Sequence, residues 1–435
     1  MKKERKISLA LATASCALIG STGISAEDKH EVGDWDVSAA ILFYQESDDR
    51  VQAFEPVITA KKHLDTDETL TFKLTLDSLT GSSPNGAVPS NVAQTFTQPS
   101  GNGVATIDAN EYPLDDTFQD TRYALNTAWE KPLAKDWRMS LGANASKEYD
   151  YTSFGVSSVF AHDINNKNTT LSGGVAVAFD SIDPEGAVPI AFAEMTPAGT
   201  TQPRQGSSED KTIFDVLAGV SQVIDRYSLF QVNYSVSYSD GYLTDPFKVI
   251  SVVDNNGVPV FAGHVTQPGL PTVVYENRPD TRLKHSLYGQ YKRALKGGDV
   301  IDTSYRLMVD DWGITSHTVD ARYRWEFDHG GFLQPHVRIY QQSEADFYTP
   351  FYLEGSQPLA ANTSAEGSAD NRLGEFMAYT VGLEYGQDNA RNSWSAAVEY
   401  YLQTGDEPSG TFGELKNQEL VPDIDALMLR VIYDF

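Results

Sequence analysis

The last nine residues of the chain alternate strictly between two kinds of side chain. One face carries Leu427, Leu429, Val431, Tyr433 and Phe435, and the other carries Met428, Arg430, Ile432 and Asp434. A period of two, apolar on one side and mixed on the other, predicts a β-strand whose two faces meet different surroundings.

The composition argues against a helical way of crossing a membrane. Only 40% of the residues are apolar and the mean hydropathy is negative. After residue 30, no stretch supplies the roughly 18 apolar residues that a membrane helix needs. Because unpaired backbone is too costly in lipid, a spanning chain without helices has to close into a barrel. The chain is therefore predicted to be all-β, a transmembrane antiparallel up-and-down β-barrel.

The same alternation recurs along the chain, for example where Val319, Ala321 and Tyr323 oppose Asp320, Arg322 and Arg324. It predicts about sixteen strands, an even number, as is usual for bacterial barrels. Their predicted ranges are 34–46, 51–62, 69–79, 121–131, 137–150, 153–164, 169–181, 211–223, 227–239, 281–293, 299–310, 316–327, 332–346, 373–385, 393–404 and 424–435.

The connections between these strands are alternately short and long. Counted from a periplasmic start, the periplasmic turns are short, and the long connections 80–120, 182–210, 240–280, 347–372 and 405–423 are extracellular. This asymmetry is typical of outer-membrane barrels. A soluble β-sandwich or propeller is the alternative, but no repeat of blade length is visible.

The first 26 residues form a predicted signal peptide. Lys2, Lys3, Arg5 and Lys6 precede an apolar run from Ile7 to Gly20, and Ser25 and Ala26 offer small residues for cleavage. A lipoprotein signal that uses Cys16 is the less favoured alternative. Cleavage would leave one barrel domain, residues 27–435, exported to the cell outer membrane.

Cleavage would also remove the only Cys and change the net charge from −27 to −30. So acidic a chain is not expected to bind nucleic acid. It is compatible with the outer-membrane surface, where divalent cations bridge acidic groups and lipopolysaccharide phosphates.

Many charged residues fall on the predicted inner face of the later strands. An inner wall of this kind would orient permeating solutes, because fields are strong in a narrow aqueous space. The alternative is a set of cross-strand ion pairs that only stiffens a wet interior. The candidate pore-lining residues are Arg282, Lys284, Arg306, Arg322, Arg324, Arg338, Asp302, Asp320, Glu326 and Glu399.

The connection 80–120 is the candidate constriction. It is too long for a simple connector and carries the acidic residues Asp115 and Asp116. Folded inward opposite the arginines, it would set up a transverse field across the pore. The alternative is a mobile surface loop.

Two segments resemble an uncharacterised Gram-negative outer-membrane β-barrel family, domain of unknown function 3570. They are residues 77–87 (DSLTGSSPNGA) and residues 95–101 (TFTQPSG). The resemblance implies a barrel without an assigned activity. Genes of the family also lie near those of flavin-transferring lipoproteins and thioredoxin-like proteins, which suggests an envelope redox partner. The terminal Phe435 resembles the signal by which the barrel-assembly machinery recognises its clients.

No enzyme is expected. Asp310, Asp311, Ser316 and His317 cluster around one short outer loop, where a His base and an orienting carboxylate could meet, but no nucleophile motif such as G-x-S-x-G accompanies them. The eight His are scattered without ligand spacing. We therefore expect no catalytic residues, no metal site and no cofactor.

Two functions remain open on the sequence. One is a porin-like passive pore for small hydrophilic solutes. The other is a non-transporting barrel that acts as scaffold or receptor for an envelope partner.

Overall fold

The structure is a computed structural model that describes residues 32–47, 50–115, 119–327, 329–389, 391–406, 408 and 410–435. The predicted signal peptide, residues 1–26, lies outside the described residues, and so does Asp116.

Within the described residues, sixteen strands close into one antiparallel barrel, in which each strand pairs with the next barrel strand along the chain and the last pairs with the first. Strands are numbered in chain order, and those of the barrel are β1 (Trp35–Glu46), β2 (Val51–Asp65), β3 (Glu68–Gly81), β8 (Gln119–Ala134), β9 (Trp137–Lys147), β10 (Tyr151–Ile164), β11 (Thr169–Ile182), β14 (Glu209–Asp225), β15 (Ser228–Gly241), β18 (Thr281–Ala294), β19 (Val300–Asp310), β20 (Thr315–Glu326), β21 (Gly331–Gln342), β23 (Phe376–Asp388), β24 (Ser393–Gly405) and β25 (Ile424–Asp434).

Nine short strands lie in the long connections. They form one three-stranded sheet, in the order β17-β16-β22, and three two-stranded ribbons, β4-β7, β5-β6 and β12-β13. These strands are β4 (Ser83–Pro84), β5 (Gln94–Thr97), β6 (Val104–Ile107), β7 (Leu114–Asp115), β12 (Val188–Pro189), β13 (Arg204–Gly206), β16 (Val249–Val253), β17 (Val273–Tyr275) and β22 (Phe351–Leu353); two 3-10 helices, Asn371–Leu373 and Gly413–Asn417, accompany them.

The predicted fold class and strand number are confirmed, and most predicted boundaries lie within two or three residues of the structure. The start of β23 is among the larger differences, because the strand begins at Phe376 instead of 373. There Asp370 caps the 3-10 helix Asn371–Leu373 by accepting a hydrogen bond from the backbone N–H of Arg372. The capped turn pairs its backbone N–H and C=O groups locally, so these groups are not available for hydrogen bonds to a neighbouring strand.

The end of β21 was also predicted too late, at 346 instead of Gln342. Beyond the strand, Ala345 and Phe347 are buried against Trp312, whose ring meets that of Phe347 edge-on at 5.0 Å. Burial of apolar side chains away from the wall therefore pulls this segment out of the barrel sheet.

The outer surface of the barrel is apolar around the wall. Leu427, Leu429 and Val431 are exposed, together with the corresponding residues of the other strands, while their sequence neighbours point inward. A continuous exposed apolar surface is stable only in contact with lipid or protein. No helix in the described part of the chain is long and apolar enough to cross a membrane.

The seam of the barrel joins the two ends of the chain. β1 and β25 pair from Ser38 opposite Asp434 to Glu46 opposite Ala426. Phe435 lies one residue beyond β25, and its backbone N–H donates to the carbonyl oxygen of Val37 at 2.9 Å. Its ring contacts Tyr433 edge-on at 4.7 Å on the outer surface. Closure of the barrel by the last strand is thus confirmed, whereas the role of Phe435 in assembly stays a prediction.

Candidate functional site: the lumen and its loop cap

One end of the barrel carries the long connections, and we call it the loop end; the other is the turn end. At the loop end the connections fold together into a single body, the loop cap, made of residues 82–115, 183–208, 242–280, 343–375 and 410–423. Its centre is β16, whose residues Val249–Val253 are all buried. β17 pairs with it on one side and β22, parallel, on the other. A fully buried β-branched strand is a core element rather than a surface loop.

Three hydrophobic clusters join the connections to one another. The first brings Phe96, Met195 and Val273 together from three different connections. The second joins Val88, Val253 and Leu415, and the third joins Phe192, Ile250 and Ala369. Each cluster thus contains residues from three loops, and together the clusters involve all five. Because the loops share their cores, they are expected to open and close as one unit.

A buried ion network lies beside this core and links two of the loops. Arg278 donates to Glu276 at 3.1 Å and to Asp370 at 2.7 Å. Arg372 donates to Asp370 at 2.8 Å and to Asp245 at 2.8 Å. Lys248 links the network to a third loop, 82–115, since its Nζ donates to the carbonyl oxygen of Pro84. Three cations therefore face three carboxylates; Arg278, Glu276 and Asp370 are buried, whereas the Arg372 side chain is 40% exposed.

Burial and charge pull the pKa values of this network in opposite directions. Burial raises the pKa of Glu276, against the opposing effect of Arg278. Burial lowers the pKa of Lys248. Burial would also raise the pKa of Asp370, but the charges of Arg372 and Arg278 outweigh it and hold that pKa well below its usual range. Asp370 is thus the carboxylate that the network stabilises most clearly in its ionised form.

The predicted constriction loop lies within the cap. Asp115 pairs with Ser83 in the β4-β7 ribbon and lines a cavity of about 40 Å³, together with Phe96, Arg204 and Tyr275. Arg204 lies over the Tyr275 ring at 4.7 Å. The connection 80–120 is thus part of a shared core with other loops, and its role as a constriction stays a prediction.

Charged residues near the loop ends of several strands are buried on the inner face of the wall. Arg122 lies 3.4 Å from Asp77 on the neighbouring strand. Lys211 lies 3.1 Å from Asp180 and donates to the hydroxyl of Tyr151 at 2.9 Å. These pairs are of the cross-strand kind that the alternative interpretation of the inner wall predicted. Their burial indicates that the loop end of the lumen is filled.

Nearer the middle of the barrel, one histidine bridges two acids over a span of four strands, β20, β21, β23 and β24. His336 on β21 has its Nε2 2.8 Å from Asp320 on β20 and its Nδ1 2.8 Å from Glu399 on β24. Glu399 reaches it across β23 because the intervening residue is Gly382. A Cβ at Gly382 would lie only 2.6 Å from Cγ of Glu399. The missing side chain therefore makes the bridge possible.

The predicted pore-lining residues separate into two groups. The paired ones include Arg282, which donates to Asp310 at 2.8 Å, and Arg324, which donates to Asp388 at 2.7 Å. Lys292 similarly lies 3.1 Å from Asp302. The second group is more exposed and consists of Arg306, Arg322 and Arg338, which project from the inner face; Arg322 lies 3.6 Å from Asp320. Cross-strand pairs are thus present in the first group, and the pore-lining role of the second group stays a prediction. Lys284, Asp302, Asp320, Glu326 and Glu399 lie on the same inner face.

Sequence reasoning missed His336 and the ion network of the cap. A signal for the network is present, because an acid-Asn-Arg tripeptide occurs twice, as residues 276–278 and residues 370–372. In both cases the acid and the arginine of the tripeptide pair with each other. For His336 no local signal exists, since its partners are 16 and 63 residues away.

The residues weighed as a possible hydrolase site are engaged separately. His317 shares a hydrogen bond of 2.7 Å with Tyr305 on the outer face of the barrel. Asp310 accepts from Arg282 and from the backbone N–H of Ile314, and Asp311 accepts from the backbone N–H of Leu283. Both acids therefore organise the turn between β19 and β20.

One group of three acids, not singled out from the sequence, lies at the loop end of the wall. Asp120, Glu148 and Asp150 offer carboxylate oxygens within 4.8 Å of one another, a spacing that could hold a metal ion. Asp120 lies at the start of β8, and Glu148 and Asp150 lie in the connection between β9 and β10, so no spacing in the sequence indicates them.

The closed wall, its exposed apolar surface and its polar interior define a transmembrane β-barrel. The particular family follows from a sequence comparison, in which the model "Protein of unknown function (DUF3570)" matches residues 8–435. The chain belongs to this family, and the resemblance noted on residues 77–87 and 95–101 is confirmed. No curated protein sequence matches the chain.

Solved structures similar to this chain are barrels of several kinds. The siderophore receptor PirA from Pseudomonas aeruginosa is 8% identical with a TM-score of 0.39, over 86% of this chain and 57% of that one. This chain thus spans little more than half of the receptor. A bacterial polysaccharide outer membrane secretin is 7% identical with a TM-score of 0.44, over 93% and 99% of the two chains. The outer membrane protein opdK from Pseudomonas aeruginosa is 9% identical with a TM-score of 0.38, over 92% and 98%.

Proposed function

We propose that the protein is a porin-like passive pore for small hydrophilic solutes, whose loop cap narrows one entrance. The observation that carries the proposal is the water-exposed charge on the inner wall. Arg306, Arg322 and Arg338 point into the lumen from three neighbouring strands and remain exposed. Charged side chains keep such exposure only where water fills the space around them, because burial without a partner is too costly.

The loop cap supports a narrow rather than a wide pore. Its shared cores and buried ion network hold the five connections together at the loop end. A solute that passes this end has to move between the cap and the wall, or wait for the cap to open. Low conductance and a low size limit are therefore expected.

The test is reconstitution of the full chain in planar bilayers and in liposomes. Discrete conductance steps, and release of small but not of large neutral solutes from the liposomes, are the expected results. Mobility on unheated gels shows whether the inserted barrels are folded. Folded, inserted barrels that conduct no current and release no solute would overturn the proposal.

The second candidate is a non-transporting barrel that acts as scaffold or receptor for an envelope partner, for which a redox-associated protein is one possibility. The specific observation in its favour is the cap itself. A body with its own buried sheet, as β16 with β17 and β22, presents a fixed surface that a partner could recognise. Silent barrels in the reconstitution would favour this candidate.

The remaining features of the proposal concern the cell. We place the protein in the outer membrane, exported by a signal peptide that is cleaved after Ala26, with the loop end outside and the turns in the periplasm. Lipopolysaccharide and the barrel-assembly machinery are its expected contacts there. We expect no enzymatic activity and no binding to nucleic acid. N-terminal sequencing of the mature protein and protease access to the loops in whole cells test the cleavage site and the orientation.

A further inference from the structure

We propose that Arg306, Arg322 and Arg338 form an anion-binding site inside the lumen, which selects small solutes that carry phosphate or carboxylate groups. The inference rests on the proposed pore function and adds the class of solute to it.

The three arginines lie on adjacent strands, β19, β20 and β21, and share the inner face. Arg338 is paired in register with Asp320, two residues from Arg322, and Arg306 is paired with Thr318, four residues from Arg322. With about 3.3 Å per residue along a strand and about 4.8 Å between strands, the three Cα atoms lie within roughly 14 Å of one another. Side chains as long as arginine can converge on one small solute across that span.

The acids of the same wall are already paired with other cations. His336 takes two of them at once, Asp320 and Glu399, each at 2.8 Å. Asp302 is held by Lys292 at 3.1 Å. Glu384 is similarly held by Arg430 at 3.0 Å. The register places two of these acids beside the exposed arginines, because Asp320 is the cross-strand partner of Arg338 and Asp302 is the partner of Arg322.

Arg322 and Arg338 have only weak contacts with the carboxylates of the described residues. Nε of Arg322 lies 3.6 Å from Asp320, and 43% of the Arg322 side chain is exposed. Arg306 donates to the hydroxyl of Ser286 at 3.3 Å. Within the part of the chain that the structure describes, no carboxylate oxygen lies within 4.0 Å of Arg338. Guanidinium groups in this state match oxyanions, which they bind through two parallel hydrogen bonds.

The charge of this wall is opposite to that of the whole chain. The count leaves out His336 and the ion pairs at the two ends of the wall, Arg282 with Asp310 and Arg324 with Glu326 and Asp388. Between those ends, the inner face of β18–β21 and β23–β25 carries six basic residues and four acids. The basic ones are Lys284, Lys292, Arg306, Arg322, Arg338 and Arg430, and the acids are Asp302, Asp320, Glu384 and Glu399. The chain as a whole carries −27. A local excess of positive charge inside a low-dielectric wall concentrates anions there.

The test compares the full-length wild type with the triple variant Arg306→Gln, Arg322→Gln, Arg338→Gln in planar bilayers under a KCl gradient. The wild type is expected to prefer chloride and to be blocked by inorganic pyrophosphate. In the triple variant the chloride preference should be lost, and the blocking concentration should rise by about tenfold for each arginine removed.

Two further variants separate charge from structure. Replacement of all three residues by lysine keeps the charge and should preserve the chloride preference. Arg324→Gln also removes one positive charge from the wall, but this arginine is paired with Asp388 at 2.7 Å near the turn end. It should therefore leave pyrophosphate block unchanged. Mobility shift on unheated gels confirms that each variant is folded.

The outcomes distinguish this inference from the pore proposal. A conducting wild type that prefers potassium, or a glutamine triple variant that behaves as Arg324→Gln does, would overturn the anion site and leave the pore intact. A silent wild type would overturn the pore. In that case calorimetric titration of the detergent-solubilised barrel with pyrophosphate still decides the site: binding that the triple variant lacks supports it, and no binding by the wild type overturns it.

Discussion

Replacement of Arg278 by Met should release the loop cap while the barrel stays closed. Arg278 is only 4% exposed and pairs with Glu276 of its own connection, 242–280. It also joins this connection to 343–375 through Asp370, as Arg372 does through Asp245. Methionine has a similar length and fills the space without a charge. The substitution therefore removes the pairing and leaves the packing nearly intact.

The free-energy cost of Arg278→Met depends on the partners that Glu276 and Asp370 retain. Removal of one partner of a buried ion pair costs roughly 3–5 kcal/mol, because a buried charge is left without compensation. Here Asp370 retains Arg372, and Glu276 retains the hydroxyl of Ser368. The cost should thus lie at the low end, about 3 kcal/mol, which corresponds to roughly a hundredfold change in the ratio of open to closed caps.

Limited proteolysis of the folded protein in detergent measures this ratio. When opening is fast compared with cleavage, the cleavage rate follows the population of the open form. A protease of broad specificity should cut within 242–280 and 343–375 about a hundredfold faster in Arg278→Met than in the wild type. The control is Arg226→Met, because Arg226 is exposed in a turn at the other end of the barrel. Equal cleavage rates in Arg278→Met and the wild type, with both barrels folded by gel mobility, would refute the role given to the network.

Three further predictions concern the bridge, the cap and the last residue. Gly382→Val should displace Glu399 from His336, since a Cβ has no room there. A crystal structure would show the separation. The control is Gly289→Val, because a Cβ at that position meets nothing closer than 4.0 Å. Acid should open the cap. The pKa of Asp370 is depressed in the folded cap, so its ionised form stabilises the cap above the pKa of an unfolded Asp, about 3.9, and this stability is lost as the pH falls toward the folded-state pKa. Protease access should therefore rise below about pH 4. It should depend less on pH in Asp370→Asn. Deletion of Phe435 should lower the amount of folded barrel in the membrane without changing the conductance of single inserted barrels; normal assembly would contradict the assembly role.

The wall of the barrel could be predicted from the sequence because its determinants are local. Alternation along one strand, as from Leu427 to Phe435, decides which side chains meet lipid, and it needs no knowledge of the partner strand. The position of Arg322 on the inner face follows from the same parity. The prediction differs from the structure at Phe376, where a capped 3-10 helix delays the strand, and at Gln342, where burial against Trp312 ends it.

The loop cap was decided by tertiary structure alone. β16 is buried because segments far away in the sequence cover it; the hydroxyl of Ser251, for instance, accepts from the backbone N–H of Val88, 163 residues earlier. The partners of Arg278 and His336 are likewise set by which strands and loops become neighbours. Periodicity determines the face on which a residue lies, whereas the residue that it meets there depends on closure of the whole chain.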